Sequence, residues 1–261
     1  MVNPSPWPFV ASLAVLILAI GAVLSMHAMD HWLLLAGILA LGITLVGWWR
    51  DVIKESNEGF HTQAVQLGLK IGMGLFIASE VMFFIAFGGY FYSALDPKEA
   101  TGFIWPPKSI KPLDPFEWPY LNTLILLLSG TSVTWSHHAL SNNKMAEAAK
   151  GLAITIILGL VFLCIQIFEY HHANFSFQEG IYPSLFYMVT GFHGFHVIAG
   201  TVFLAVCWGR LKRQEFTAHQ HVGFETAAWY WHFVDVVWLF LFISIYWWGY
   251  QPCLLYQKTK F

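Results

Sequence analysis

The segment Trp229–Gly249, WYWHFVDVVWLFLFISIYWWG, is oily enough for the interior of a bilayer, yet it places His232 and Asp235 three residues apart. A helix rising ~1.5 Å per residue needs ~20 residues to cross ~30 Å of hydrocarbon, which is the length of this run. Wound as a helix, Glu225, Trp229, His232, Val236 and Leu239 share one stripe, with Asp235 at its edge. Polar groups occupy only the first half. Beyond Asp235 the chain reads VVWLFLFISIYWW, apolar up to an aromatic belt. A proton path needs polar groups through the whole depth, so these residues favour charge-assisted pairing between helices over a relay. An unpaired carboxylate in hydrocarbon is too costly to leave alone.

Composition extends this reading to the whole chain. Of 261 residues, 57% are hydrophobic and only 11% charged, and the mean hydropathy is +0.58. A soluble protein of this size needs more charge to cover its surface, so the bilayer is the solvent. A net charge of −2 provides no basic field for nucleic acid, which is excluded as a partner. The three cysteines, including Cys164 and Cys207 inside apolar runs, show no zinc or disulfide spacing and are read as packing residues.

Apolar runs near Phe9–Met26, His31–Trp49, Gln66–Ser93, Tyr120–Ala139, Ala149–Tyr170, Ser184–Gly209 and Glu225–Trp248 predict seven transmembrane helices, because lipid offers no partner to exposed backbone amides. The expected fold is an all-α polytopic membrane protein. Its parts are helices I–II over 1–50, an inner connecting loop over 51–65, a bundle of helices III–VII over 66–249, and a tail over 250–261. Arg50 and Lys54, Lys144 and Lys150, and Arg210, Lys212 and Arg213 fall in alternate loops. Those loops are expected inside, which puts the amino terminus inside and the carboxyl terminus outside. The charged segment Trp48–Gln63 sets the first two helices apart from the other five. The proline-rich loop Asp96–Tyr120 reads as an outer cap.

Twelve histidines raise the question of a metal or haem. His193 and His196 in GFHGFH lie about 60° apart around a helix and could meet one ion. A closed site needs further ligands, and no spacing supplies them. The alternative is a pair of hydrogen-bonded histidines beside the close-packing glycines Gly191, Gly194 and Gly200. His137–His138 and His171–His172 are adjacent pairs near helix ends that point about 100° apart and do not chelate readily. Neither the HxxxH nor the HxxHH box by which membrane desaturases hold two irons is expected, and no P-loop, Rossmann fingerprint, Gly-x-Ser-x-Gly elbow or CxxC is found. No catalytic residue and no metal ligand is assigned.

Glu80, in FIASEVMFF, sits near the middle of the third run, with no basic residue of its own helix within a turn or two. Deep burial makes a neutral or strongly hydrogen-bonded acid the expectation. Two readings stand side by side: an acid bonded to a neighbouring helix, and a group that exchanges protons or contacts lipid.

The segments WWRDVIKES, HTQAVQLGL, SEVMFF, WPP, LNTLILLLSG, TGFHGFHVIAGT and HVGFE, followed by WYWHFVDVVWLFLFISIYWWG, resemble subunit III of cytochrome c oxidase, in the same order from about Pro4 to Gly249. The resemblance implies seven helices split two plus five around a lipid-filled cleft. It also implies packing beside the catalytic subunit I, with subunit II and accessory subunits in the same complex. No cofactor is implied in this chain; haem and copper belong to the partner subunits. The implied role is to stabilise subunit I, bind structural phospholipids and support proton uptake while cytochrome c reduces oxygen to water. The implied membrane is the mitochondrial inner membrane or a bacterial plasma membrane. The family's buried glutamate falls at Glu80 and its lipid-headgroup contacts near His61, Arg210 and His221. Glu225, His232, Asp235 and His193 remain as helix-pairing polar groups.

Two departures stand out, the AFGGYFY stretch with Gly88 and Gly89 and the tail YQPCLLYQKTKF. The related subunit of quinol oxidases lacks the first two helices, so their presence favours a cytochrome c oxidase. A polytopic transporter and a histidine-rich membrane metalloenzyme are the rivals. The first should show inverted repeats or broken helix pairs, the second stoichiometric metal.

Overall fold

The computed structural model describes residues 5–27, 31–87, 110–218 and 220–250. The WPP motif, most of the outer-cap loop, Gly88 and Gly89, and the tail after Tyr250 lie outside the described residues. Among those described, the chain forms seven helices: α1 (Trp7–Met26), α2 (Trp32–Asn57), α3 (Gln63–Ala86), α4 (Trp118–Ser141), α5 (Met145–His172), α6 (Ile181–Lys212) and α7 (Val222–Leu241). α7 runs on as a π-helix over Phe242–Trp247. Six of the seven are long and apolar enough to cross a membrane. α4 is 24 residues long but more polar, with Asn122, Thr123, Ser129, Ser132 and Ser136 on its buried face.

The chain divides into two compact units, Met1–Gly68 and Leu69–Phe261. In the first, α1 and α2 pack against each other where glycines let the backbones meet. A Cβ on Gly37 would come within 2.5 Å of the Leu18 Cα, and one on Gly21 within 2.5 Å of the Leu34 nitrogen. Lipid tails are as apolar as leucine, so close van der Waals approach of this kind is what holds helices together in a bilayer.

α2 corrects the expected boundary of the connecting loop. It continues through Arg50–Asn57, a stretch read from sequence as loop, because nothing there breaks a helix before Gly59, whose φ of +83° ends the run. The Trp7 indole donates to Asp51 and fastens this extension to the start of α1.

In the second unit small polar residues do the joining. Ser132 and Thr155 share a hydrogen bond of 2.7 Å, and Ser136 donates to the Ala148 carbonyl at 2.6 Å, which fixes α4 against α5. Trp208 donates to the Ala149 carbonyl at 3.1 Å, holding α6 to α5. Trp231 donates to Ser129 and Trp238 to Thr123, both at 2.9 Å, so α7 docks on α4 through two buried indoles. The turn from α4 to α5 is short, with Asn143 at φ +60°, a conformation asparagine tolerates.

The face of α7 that packs differs from the stripe drawn from sequence. Trp231, Val234, Asp235, Trp238 and Leu241 are buried, whereas Trp229 and Val236 are exposed. The Glu225–Trp229–His232–Val236 stripe is thus the outer edge of the helix. Its polar members reach sideways to neighbours.

Candidate functional site

The polar residues of α7 make three links within the second unit. Near its start, Glu225 Oε2 meets Lys70 Nζ of α3 at 2.7 Å. Two turns further, His232 Nε2 lies 3.1 Å from Thr134 Oγ1 of α4, and His232 Nδ1 lies 3.7 Å from Asp235 Oδ2. Asp235 fits against α4 because Gly130 is there. A Cβ at Gly130 would overlap Asp235 Oδ2, so the carboxyl occupies the space of the missing side chain. The backbone carbonyl of Val234 takes a hydrogen bond of 3.1 Å from His193 Nε2 of α6.

His193 and His196 do not converge on one point. His193 is walled by Phe162 and Trp238 and bonds to α7. His196 turns to α3, where its Nε2 lies 2.9 Å from Glu80 Oε2, while its Nδ1 bonds to the Phe192 carbonyl at 2.7 Å. Of the three glycines flanking them, Gly200 makes a tight contact with Trp231, but Gly194 faces open space. The spacing of this motif therefore serves two different helices. The expectation that no HxxxH spacing occurs is corrected by His27–His31, whose rings are engaged locally, His27 with the Val23 carbonyl and His31 with Ser25. Among the described residues no group of three or more His, Cys, Asp or Glu side chains is arranged to hold a metal ion.

Glu80 is less deeply buried than its position in the run suggests, retaining 21% side-chain exposure. Its partner comes from another helix, as His196, and the ring of Tyr230 stacks on that histidine at 6.3 Å. Phe84 and Phe233 complete the surround.

Arg210, at the end of α6, gives its Nε to Glu215 Oε2 at 3.0 Å and lies 4.4 Å over the ring of Phe216. His221, just before α7, bonds through Nδ1 to the Thr217 carbonyl at 3.0 Å and packs edge-on to His137 at 5.3 Å. Lys70, Lys144, Lys150, Arg210, Lys212 and Arg213 all belong to this end of the second unit, where α4 turns into α5 and α6 into α7. His61 lies in the first unit, in the link from α2 to α3, and its carbonyl accepts from Gln66 at 3.0 Å.

Several linking residues were not legible beforehand. Lys70 and Thr134 become partners only through packing across helices far apart in sequence, and the pairing of His196 with Glu80 arises in the same way. Gln166 and Glu169 on α5 are almost wholly buried, and Tyr246 donates to Glu169 Oε1 at 2.6 Å. Their signal was a glutamine and an acid three residues apart, hence on one helix face, within IQIFEY at the end of an apolar run.

This is a multi-pass helical membrane protein whose polar residues are spent on linking helices. The family model for cytochrome c oxidase subunit III matches residues 1–250. A cytochrome c oxidase subunit 3 from Chondrus crispus is 55% identical over 253 residues, 95% of this chain and 93% of the relative. The subunit from Arabidopsis thaliana is 54% identical over 253 residues, covering 95% and 96%, and that from Dugong dugon 53% over 251 residues, also covering 95% and 96%. The chain belongs to the cytochrome c oxidase subunit III family.

Proposed function

We propose that the chain is a cofactor-free core subunit that stabilises the catalytic subunit I of cytochrome c oxidase and supports proton uptake during oxygen reduction. The observation supporting this reading is how the polar side chains are used. Glu80 with His196, Lys70 with Glu225, Thr134 with His232 and His193 with Val234 all join one helix to another. Such links suit a rigid scaffold that offers its apolar outer faces to partner subunits and lipid. Haem and copper then reside in subunits I and II, and accessory subunits join the same complex. The basic end of the second unit faces the matrix or cytoplasm by the positive-inside rule, in a mitochondrial inner membrane or a bacterial plasma membrane.

Phospholipid binding is part of the proposal. Arg210 gives Nε to Glu215, which leaves its terminal amino groups for a headgroup phosphate, and planar guanidinium is well suited to that contact. His221 is proposed as a second headgroup contact. His61 enters from the family resemblance alone.

The test is an oxidase complex assembled without this chain. Its haem spectrum should persist, while turnover is lost progressively and proton uptake slows. Loss of the haem signal from an otherwise assembled complex would overturn the cofactor-free assignment.

A further inference from the structure

We infer that the far end of the four-helix core α4–α7 holds an internal hydration site, in which ordered water is bound by Asn122, Gln166 and Glu169. Among the described residues, eight buried side-chain nitrogen and oxygen atoms lack a hydrogen-bond partner, and five of them are Asn122 Nδ2 and Oδ1, Gln166 Nε2 and Oε1, and Glu169 Oε2. These three residues are at most 3% exposed. The other three, His137 Nε2, His193 Nδ1 and Asp235 Oδ1, are single atoms on separate residues, so the orphans concentrate on these three side chains, Asn122, Gln166 and Glu169.

They are also gathered at one depth. Ser132 bonds Thr155, and α4 and α5 run antiparallel, so ten residues back along α4 to Asn122 corresponds to ten residues forward along α5 to Ile165, next to Gln166. Trp118 against Phe168, at 4.9 Å, confirms that register. Gln166 lies close enough to Glu169, Tyr170 and Tyr246 to act on all three, yet neither of its amide atoms has a partner at full hydrogen-bond geometry. Tyr170 pairs with Thr190 of α6 at 2.7 Å, and Tyr246, carried by the π-helix that extends α7, donates to Glu169. Residues of α4, α5, α6 and α7 therefore all belong to this polar node. Gly191 of α6 contributes no side chain opposite the Tyr170 hydroxyl, where a Cβ would meet nothing nearer than 4.0 Å.

Chemistry selects water from the possible occupants. Buried polar groups in native proteins are almost always bonded, by ordered water if not by protein. The orphans include two amide nitrogens, which need acceptors, as well as oxygens. A bare cation would satisfy the oxygens and leave both amide N–H groups unpaired. An anion would meet the amides and be repelled by the carboxyl and carbonyl oxygens. Water donates and accepts, and serves both kinds at once.

The experiment is cryo-electron microscopy of the intact complex in lipid nanodiscs, at a resolution that shows ordered water, for the wild type and for Gln166→Leu and Glu169→Gln. The wild-type map should show at least one peak within about 2.7–3.2 Å of Glu169 Oε2 and of an amide of Gln166 or Asn122. Glu169→Gln should keep it, and Gln166→Leu should lose at least one peak. A dry node, with the Gln166 amide bonded directly to Glu169 or Asn122, would overturn the inference. So would a peak that depends on sodium or potassium in the buffer and touches oxygens only. The wild-type map decides even where a variant fails to assemble.

Discussion

Glu80 of α3 and His196 of α6 face each other at 2.9 Å, with Phe84, Tyr230 and Phe233 around them. The contact joins residues 116 apart in sequence, and it makes the acid six residues before the end of α3 part of the bundle's packing. Each single replacement, Glu80→Ala or His196→Ala, should weaken the unit, and the double variant should cost less than their sum. The coupling expected from a double-mutant cycle in detergent is about 0.6 kcal/mol, the average for hydrogen bonds between helices in membranes, and no more than about 1.7 kcal/mol. Strict additivity of thermal unfolding would show that the two groups do not interact.

Gly130 makes room for the Asp235 carboxyl. Gly130→Ala should push that side chain off α4 and destabilise the unit by about 1–3 kcal/mol, the usual cost of overpacking. Thermal unfolding of the purified complex, followed through retention of this subunit, reads the effect. A second change, Asp235→Ala, should recover part of the loss by removing the clash.

Trp231 is fully buried and donates to Ser129. Trp231→Ala should cost about 3–5 kcal/mol through the cavity it leaves, enough to abolish accumulation of the assembled subunit. Trp231→Phe keeps most of the volume and gives up a hydrogen bond worth about 1 kcal/mol, so it should assemble with a lowered melting temperature.

The helices themselves were legible, because long runs with few charges leave a chain few alternatives, although α4 is too polar to count with the six that are apolar enough to cross a membrane. Their ends were less so. α2 overran its apolar run through Arg50–Asn57 since charged residues such as Arg, Lys and Glu are good helix formers once the chain leaves the lipid. Asp235 and His232 were marked by their polarity, but the buried face of α7 was set by Trp231 and Trp238, whose indole donors found hydroxyls on α4. Partners such as Lys70 for Glu225 depend on packing between separate helices, and that information is not local to either segment. Gln166 and Glu169 stayed hidden because they sit close to a helix end, where polar residues ordinarily mean the membrane surface.

The Lys70–Glu225 ion pair is partly exposed, at 34% and 22% of the two side chains. Its worth should be no more than about 1 kcal/mol. Lys70→Glu should destabilise through repulsion with Glu225, and adding Glu225→Lys should restore the wild-type melting temperature. Failure of the reversed pair to recover any stability would show that the residues act separately.

Lipid retention tests the proposed headgroup contact. In native mass spectrometry of the complex, Arg210→Ala should lose bound phospholipid and Arg210→Lys should lose less, since lysine keeps the charge but not the planar fork. If both variants hold every lipid of the wild type, Arg210 serves only its contacts with Glu215 and Phe216.

The most direct measurement purifies the complex through a tag on this chain, identifies the co-purifying subunits by mass spectrometry, and assays haem, copper, iron and zinc before and after the chain is dissociated. The account predicts that the catalytic subunits of a cytochrome c oxidase co-purify with a haem spectrum, and that the separated chain carries no metal. Purification without oxidase subunits, or close to one equivalent of metal on the separated chain that is lost in His193→Ala, would contradict it.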